Sequence, residues 1–166
     1  QTSGAVLRLT GGEIYGNNVS GDSPSEYYPN VTEGGGINTT SNQGLKLSGS
    51  PVIRDNFARG TRQGDVYVKG ESGTPDNLFL GSGATNSIAV DGALTEGAEI
   101  WVSPRIDSKE NSATHEIEKT LYPNFASGYA AGGEGDTAYV NAADPNQYFH
   151  SDDSHYFIAP TAEGGL

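Results

Sequence analysis

The chain has 166 residues, of which 9 are basic and 21 acidic, for a formal net charge of −12. That balance repels a phosphate backbone and argues against nucleic acid as a partner. Cysteine is absent, which excludes disulfides, and no apolar run is long enough to cross a bilayer.

A hydrophobic content of 34% and a mean hydropathy of −0.51 leave room for one modest core. The 24 glycines, with many Asn, Ser and Thr, point to short strands separated by turns, an all-β composition. In chain order, Leu7-Arg8-Leu9-Thr10-Gly11-Gly12 leads into Ile14-x-x-Asn17. Residues 19–34, with Ser23-Pro24 and Tyr27-Tyr28-Pro29, read as a projecting loop, and Gly36-Ile37 opens another strand. Leu45-Lys46-Leu47-Ser48-Gly49-Ser50 then repeats the first segment and is followed by Ile53-x-x-Asn56. Residues 57–76 form a second interruption, with an extra strand at Asp65-Val66-Tyr67-Val68, before Leu78-Phe79-Leu80. Ile88-Ala89-Val90-Asp91-Gly92 is a third copy, in which Leu94 takes the isoleucine's place and the Asn is lost. Ile100-Trp101-Val102 continues the series begun by Ile37 and Leu78.

After Ser103-Pro104 the pattern changes. Residues 105–120 are polar with no strand signal, and strands are expected at Ala138-Tyr139-Val140 and His155-Tyr156-Phe157-Ile158. Asp144-Pro145 reads as the N-cap and first-turn proline of a short helix through Tyr148-Phe149.

Alternation places Leu7 and Leu9 inward with Arg8 outward, and the same holds for Leu45/Leu47 and Ile88/Val90. A lone copy cannot bury its apolar face, but stacked copies can, with Asn17 over Asn56 at a corner. The expected architecture is a parallel β-helix of about three rungs over residues 1–104. Residues 105–166 form a small C-terminal segment that covers its end.

Several segments are similar to modules of large bacterial adhesin-like surface proteins. They are Gly12-Glu13-Ile14-Tyr15-Gly16-Asn17, Gly34-Gly35-Gly36-Ile37, the run Leu47 to Asn56, Asn77-Leu78-Phe79-Leu80, the run Ile88 to Ile100, and Tyr148 to Asp153 with Tyr156. The resemblance covers roughly residues 5–104 and 144–166, and rests on the order of motifs that are individually unspecific. It implies a right-handed, pectate-lyase-like parallel β-helix, secretion and display at the cell surface, and upstream rungs of the same protein as neighbours. It brings no catalytic residues.

Arg8, Lys46 and Arg54 form a candidate outward basic stripe for an anionic glycan; solvated pairing with Glu13 and Asp55 competes with that reading. Phe79 and Trp101, expected outward at equivalent places in successive rungs, make a candidate platform for sugar rings, unless the tail lies over them. Tyr27 and Tyr28 add aromatic surface on the first loop. His150, Asp152, Asp153 and His155 include metal-ligand types without a metal-site spacing, so no metal is assigned, and no loop identifies a calcium site. No cofactor is implied. The expected function is a non-catalytic surface module, adhesin-like, carbohydrate-binding or a stalk, facing a glycan or a host or cell-surface protein. The alternative is the C-terminal part of a polysaccharide-active enzyme, lyase or glycoside hydrolase, which requires at least two carboxylates and a base in one groove.

Overall fold

The computed structural model describes residues 6–20, 35–39, 44–59, 61–63, 66–68, 74–75, 78–80, 88–103, 106–110, 117–121, 124–130, 139, 141–162 and 164–166. Tyr27, Tyr28 and most of their loop lie outside these. The strands are β1 (Leu7–Tyr15), β2 (Asn18–Ser20), β3 (Ile37–Thr39), β4 (Leu45–Arg54), β5 (Phe57–Arg59), β6 (Thr61–Gln63), β7 (Val66–Val68) and β8 (Thr74–Pro75). They continue as β9 (Leu78–Leu80), β10 (Ile88–Leu94), β11 (Glu99–Val102), β12 (Ile106–Glu110), β13 (Ile117–Leu121), β14 (Ala126–Ser127) and β15 (Phe149–Ser151). The fold is all-β and mostly parallel, built on a curled main sheet.

That sheet has four parallel tiers: β1, then β4, then β10 with β11, then β14 with β15. The repeats stack as their residue types require. Leu7 lies beside Leu45, Leu45 beside Ile88, and Ile88 beside Ala126; Leu9, Leu47 and Val90 form the next inward column. Because β4 has neighbours on both sides, Leu45, Leu47, Pro51 and Ile53 are almost wholly buried, while the residues that alternate with them are only partly so. Burial of each such side chain contributes roughly 1.5–3 kcal/mol.

The third tier departs from the sequence reading. Ile100, not Leu94, lies on Ile53, and Leu94 falls opposite Gly49. A turn intervenes, with the Ala98 N–H donating to Thr95 O and the Thr95 N–H to Gly49 O. Ile37 and Leu78 do pair in a separate two-stranded sheet, but Ile100-Trp101-Val102 does not continue that column; the residue after it does, through Ser103 N–H to Leu78 O. Two supposed insertions also begin with paired strands, since β2 and β5 run parallel, Asn18 beside Phe57.

The expected corner ladder is present. The Asn17 Nδ2 donates to Asn56 Oδ1 at 2.9 Å, and the Asn56 Nδ2 donates to Ile14 O at 2.8 Å and Arg54 O at 2.9 Å. The third position after Ile100 and Phe149 is taken by Ser103 and Asp152, whose Oγ–Oδ2 bond is 2.6 Å. The lost Asn is thus replaced by a second hydrogen-bonded pair.

Further along, β12 and β13 form an antiparallel hairpin where no strand signal was read. Asp144 caps a single 3-10 turn, Pro145–Gln147, which stops short of the expected helix because Phe149 enters β15. His155–Ile158 forms no strand, though Ile158 is buried. Phe149 is fully buried, with Phe125 and Tyr129 edge-on to it, each at 6.0 Å between centroids. Leu166 closes this end by exchanging backbone hydrogen bonds with Ala126.

Gly49 has φ of 68°, and a Cβ there would fall 2.2 Å from Thr10 O, whereas Gly97 (φ 90°) has open space. Gly49→Ala is therefore expected to lower stability by about 2 kcal/mol or more in urea unfolding, and Gly97→Ala by only about 1 kcal/mol.

Burial pushes the Tyr129 hydroxyl up to about 12, with the Tyr148 and Asp144 charges adding to it. In the unfolded chain it ionises near 10. Its contribution to stability is thus complete below about pH 10 and lost as pH rises through about 12. Alkaline unfolding should be shallower across that window in Tyr129→Phe than in the parent.

Candidate functional site

Alternation along the tiers decides which side chains reach solvent. The inward column Ile14, Ile53, Ile100 and Phe149 is followed in every tier by one outward residue, in order Tyr15, Arg54, Trp101 and His150. Tyr15 pairs with Arg54 across β1 and β4, and Trp101 pairs with His150 across β11 and β15. Three steps of strand spacing make a stripe roughly 14 Å long, perpendicular to the strands.

Contacts run along its length. The Arg54 guanidinium carbon is 5.9 Å from the Tyr15 ring centroid. Arg54 Nε lies 3.5 Å from Glu99 Oε2, and the Trp101 indole N–H donates to Glu99 Oε1 at 2.9 Å. One carboxylate therefore spans the second and third tiers and fixes both a cation and an indole. The Trp101 and His150 rings lie 5.0 Å apart, tilted by 34°. Tyr15 is exposed at 59%, and the other three are partly exposed.

The charge on this face is largely cancelled. Arg54 also binds Asp55, and that bond and charge raise its pKa further, with Glu99 and Glu13 adding against desolvation. Arg8 binds Asp91, which lies 4.0 Å from Lys46 Nζ as well. The expected basic stripe thus divides into two separate groups, each of its three cations held by a carboxylate. The competing reading named Glu13 and Asp55 as partners; Asp55 serves, and Asp91 and Glu99 do the rest.

Phe79 pairs through its backbone with Asn38 in the β3–β9 sheet, which meets the third tier at Leu78 and Ser103. Its side chain lies outside the described residues, as do Tyr27 and Tyr28. The tail does reach Trp101, but through His150, which extends the ring surface. The four residues weighed for metal diverge: His150 faces Trp101, Asp152 accepts from Ser103, and Asp153 binds His155. Hydrogen bonds from the His155 backbone and ring hold Asp153 below the usual carboxylate range. Among the described residues no three His, Asp or Glu side chains converge on one point.

Sequence reasoning placed Tyr15 with Arg54 on one outward face but missed Glu99 and His150 and did not bring Trp101 onto that column. The signal was available in the position after each inward residue of the second column, once Ile100 and Phe149 are aligned with Ile53.

No protein-family model, curated protein or solved structure matches this chain.

Because the Arg54–Glu99 pair is exposed, Glu99→Ala should change stability by less than about 1 kcal/mol. It should nonetheless free the only tryptophan, which is expected to emit at longer wavelength and to be quenched more readily by acrylamide.

Proposed function

We propose that this chain is a non-catalytic module of a bacterial surface protein, a right-handed parallel β-helix of the adhesin-like kind. Its Tyr15–Arg54–Trp101–His150 stripe binds a neutral glycan. The observation that carries the reading is the stacking of three aromatic rings and one cation, in register, on one solvent-facing column. Rings held at tier spacing offer successive apolar faces to the C–H faces of sugars, and Glu99 and Arg54 supply polar groups beside them.

The neutrality of the ligand follows from electrostatics. Arg8, Lys46 and Arg54 are each held by a carboxylate, and the chain carries a net charge of −12. Among the described residues, an acidic polymer approaching this face meets repulsion and no uncommitted cation. Sequential parallel pairing of like residues supports the β-helix, and display at a cell surface rests on the resemblance of the motifs.

One observation favours the second reading, a polysaccharide-active enzyme: Asp55 and Glu99 flank Arg54, two carboxylates and a base in one place. The binding reading is preferred because Glu99 already accepts from Arg54 and Trp101, which engages both of its oxygens as a structural clamp.

A glycan array followed by calorimetry on the strongest hit tests the proposal. Neutral oligosaccharides are expected to bind, Trp101→Ala to weaken binding at least tenfold, and Phe79→Ala to leave it unchanged. Binding that survives Trp101→Ala removes the stripe as the site. Release of reducing ends or unsaturated products, abolished by Glu99→Gln, establishes the enzyme reading instead.

A further inference from the structure

We infer, on the glycan-binding reading proposed above, that the ligand of the Tyr15–Arg54–Trp101–His150 stripe is an extended, all-equatorial β-1,4-linked glycan. It lies across the strands with one sugar against each tier.

What flanks the column sets the direction of the glycan. Two residues before Tyr15, Arg54 and Trp101, on the same outward face, stand Glu13, Val52 and Glu99, themselves paired in register across β1, β4 and β11. Two residues after them the strands have given way to the corner, at Asn17, Asn56 and Ser103. A glycan lying along a strand therefore touches one member of the stripe and then leaves it. A glycan lying across the strands meets all four in turn.

The repeat of the column sets the linkage. Neighbouring tiers are about 4.8 Å apart, and the Trp101 and His150 ring centroids are 5.0 Å apart. A pyranose joined through equatorial 1,4 bonds advances by about the same distance, so successive sugars stay in step with successive tiers. An α-1,4-linked chain curls away from a straight column within a few units.

The sugar itself follows from the way such a chain is built. Each unit is turned over relative to the one before it, so opposite faces meet the stripe in alternation. Only a sugar with all its ring hydroxyls equatorial shows axial C–H groups on both faces, and either face can then lie on Tyr15, Trp101 or His150. An axial hydroxyl would press a polar group without a partner onto a ring. Arg54 fills its own tier with the apolar stem of its side chain, since its guanidinium is engaged by Asp55 and Glu99. The equatorial groups of the sugars point sideways, toward the column of Glu13, Val52 and Glu99. Hydroxyls there donate to carboxylates, whereas the carboxylate of a uronic acid meets like charge.

Calorimetry of the whole chain with glucose, cellobiose, cellotriose, cellotetraose and cellohexaose tests this. Affinity is expected to rise roughly two- to tenfold with each sugar as far as cellotetraose and to level off at cellohexaose. Tyr15→Ala and His150→Ala, at the two ends of the column, should each make cellotetraose bind only as tightly as cellotriose binds the parent. Both should leave cellobiose nearly unchanged, which a general loss of folding would not do. Maltotetraose and a β-1,4-linked tetraglucuronate should bind no better than glucose. Equal affinity for glucose and cellotetraose, or for cellotetraose and maltotetraose, overturns the inference while leaving the stripe a glycan site. Failure of every neutral oligosaccharide to bind removes the glycan-binding reading, and this inference with it.

Discussion

Everything in this molecule depends on the requirement that a parallel strand with two or three inward apolar residues cannot bury them alone. Ordering each residue costs roughly 1–2 kcal/mol of backbone entropy, and the outward half of a strand returns almost none of it. Only stacking a like residue on each side recovers the difference. β4 meets the requirement most fully, with β1 along one edge and both β10 and β11 along the other. The fully covered column Leu45, Leu47 and Ile53 is the result.

The same stacking governs the corner. Asn56 is fully buried, and a buried amide is tolerated only when its donors and acceptor are used. Its bonds to Asn17, Ile14 and Arg54 do this by tying the second tier to the first. Where Val102 and Ser103 replace Asp55 and Asn56, the polar link passes forward instead, from Ser103 to Asp152 of the fourth tier. The corner also sets the candidate site. With Ile14, Ile53, Ile100 and Phe149 locked inward, the next residue in each tier must face out, so Tyr15, Arg54, Trp101 and His150 come into line without any contact that selects them.

How much of this was legible in the sequence depended on whether the repeat was local. Leu7 over Leu45 over Ile88, and Asn17 over Asn56, could be read because the spacing is nearly constant and the residue types recur. Ile100 over Ile53 was hidden by the turn at Thr95–Ala98, which shifts the count while Leu94 imitates the missing isoleucine. The fourth tier was hidden for a different reason. β14 and β15 have three residues or fewer each, and the chain between them is long, so no period survives. Phe149 looked like the end of a helix because the Asp144-Pro145 cap is genuine; the turn it starts is halted by the pull of the buried Phe149 cluster. The β12–β13 hairpin pairs antiparallel and belongs to none of the columns, so the search for stacked copies had no power to find it.

Charge completes the argument about what the surface can read. Asp91 in the third tier serves Arg8 from the first and Lys46 from the second, so one carboxylate neutralises cations of two other tiers. Glu99 does the same for Arg54 while also holding the indole of Trp101. Like charges stacked at strand spacing repel, and a parallel sheet that repeats Arg8 as Lys46 must answer with an acid from a later tier. The cost of that answer is that, among the described residues, each cation on the face is committed. What the stripe retains is shape and ring surface, properties insensitive to salt, and it is on these that the proposed contact with apolar sugar faces depends.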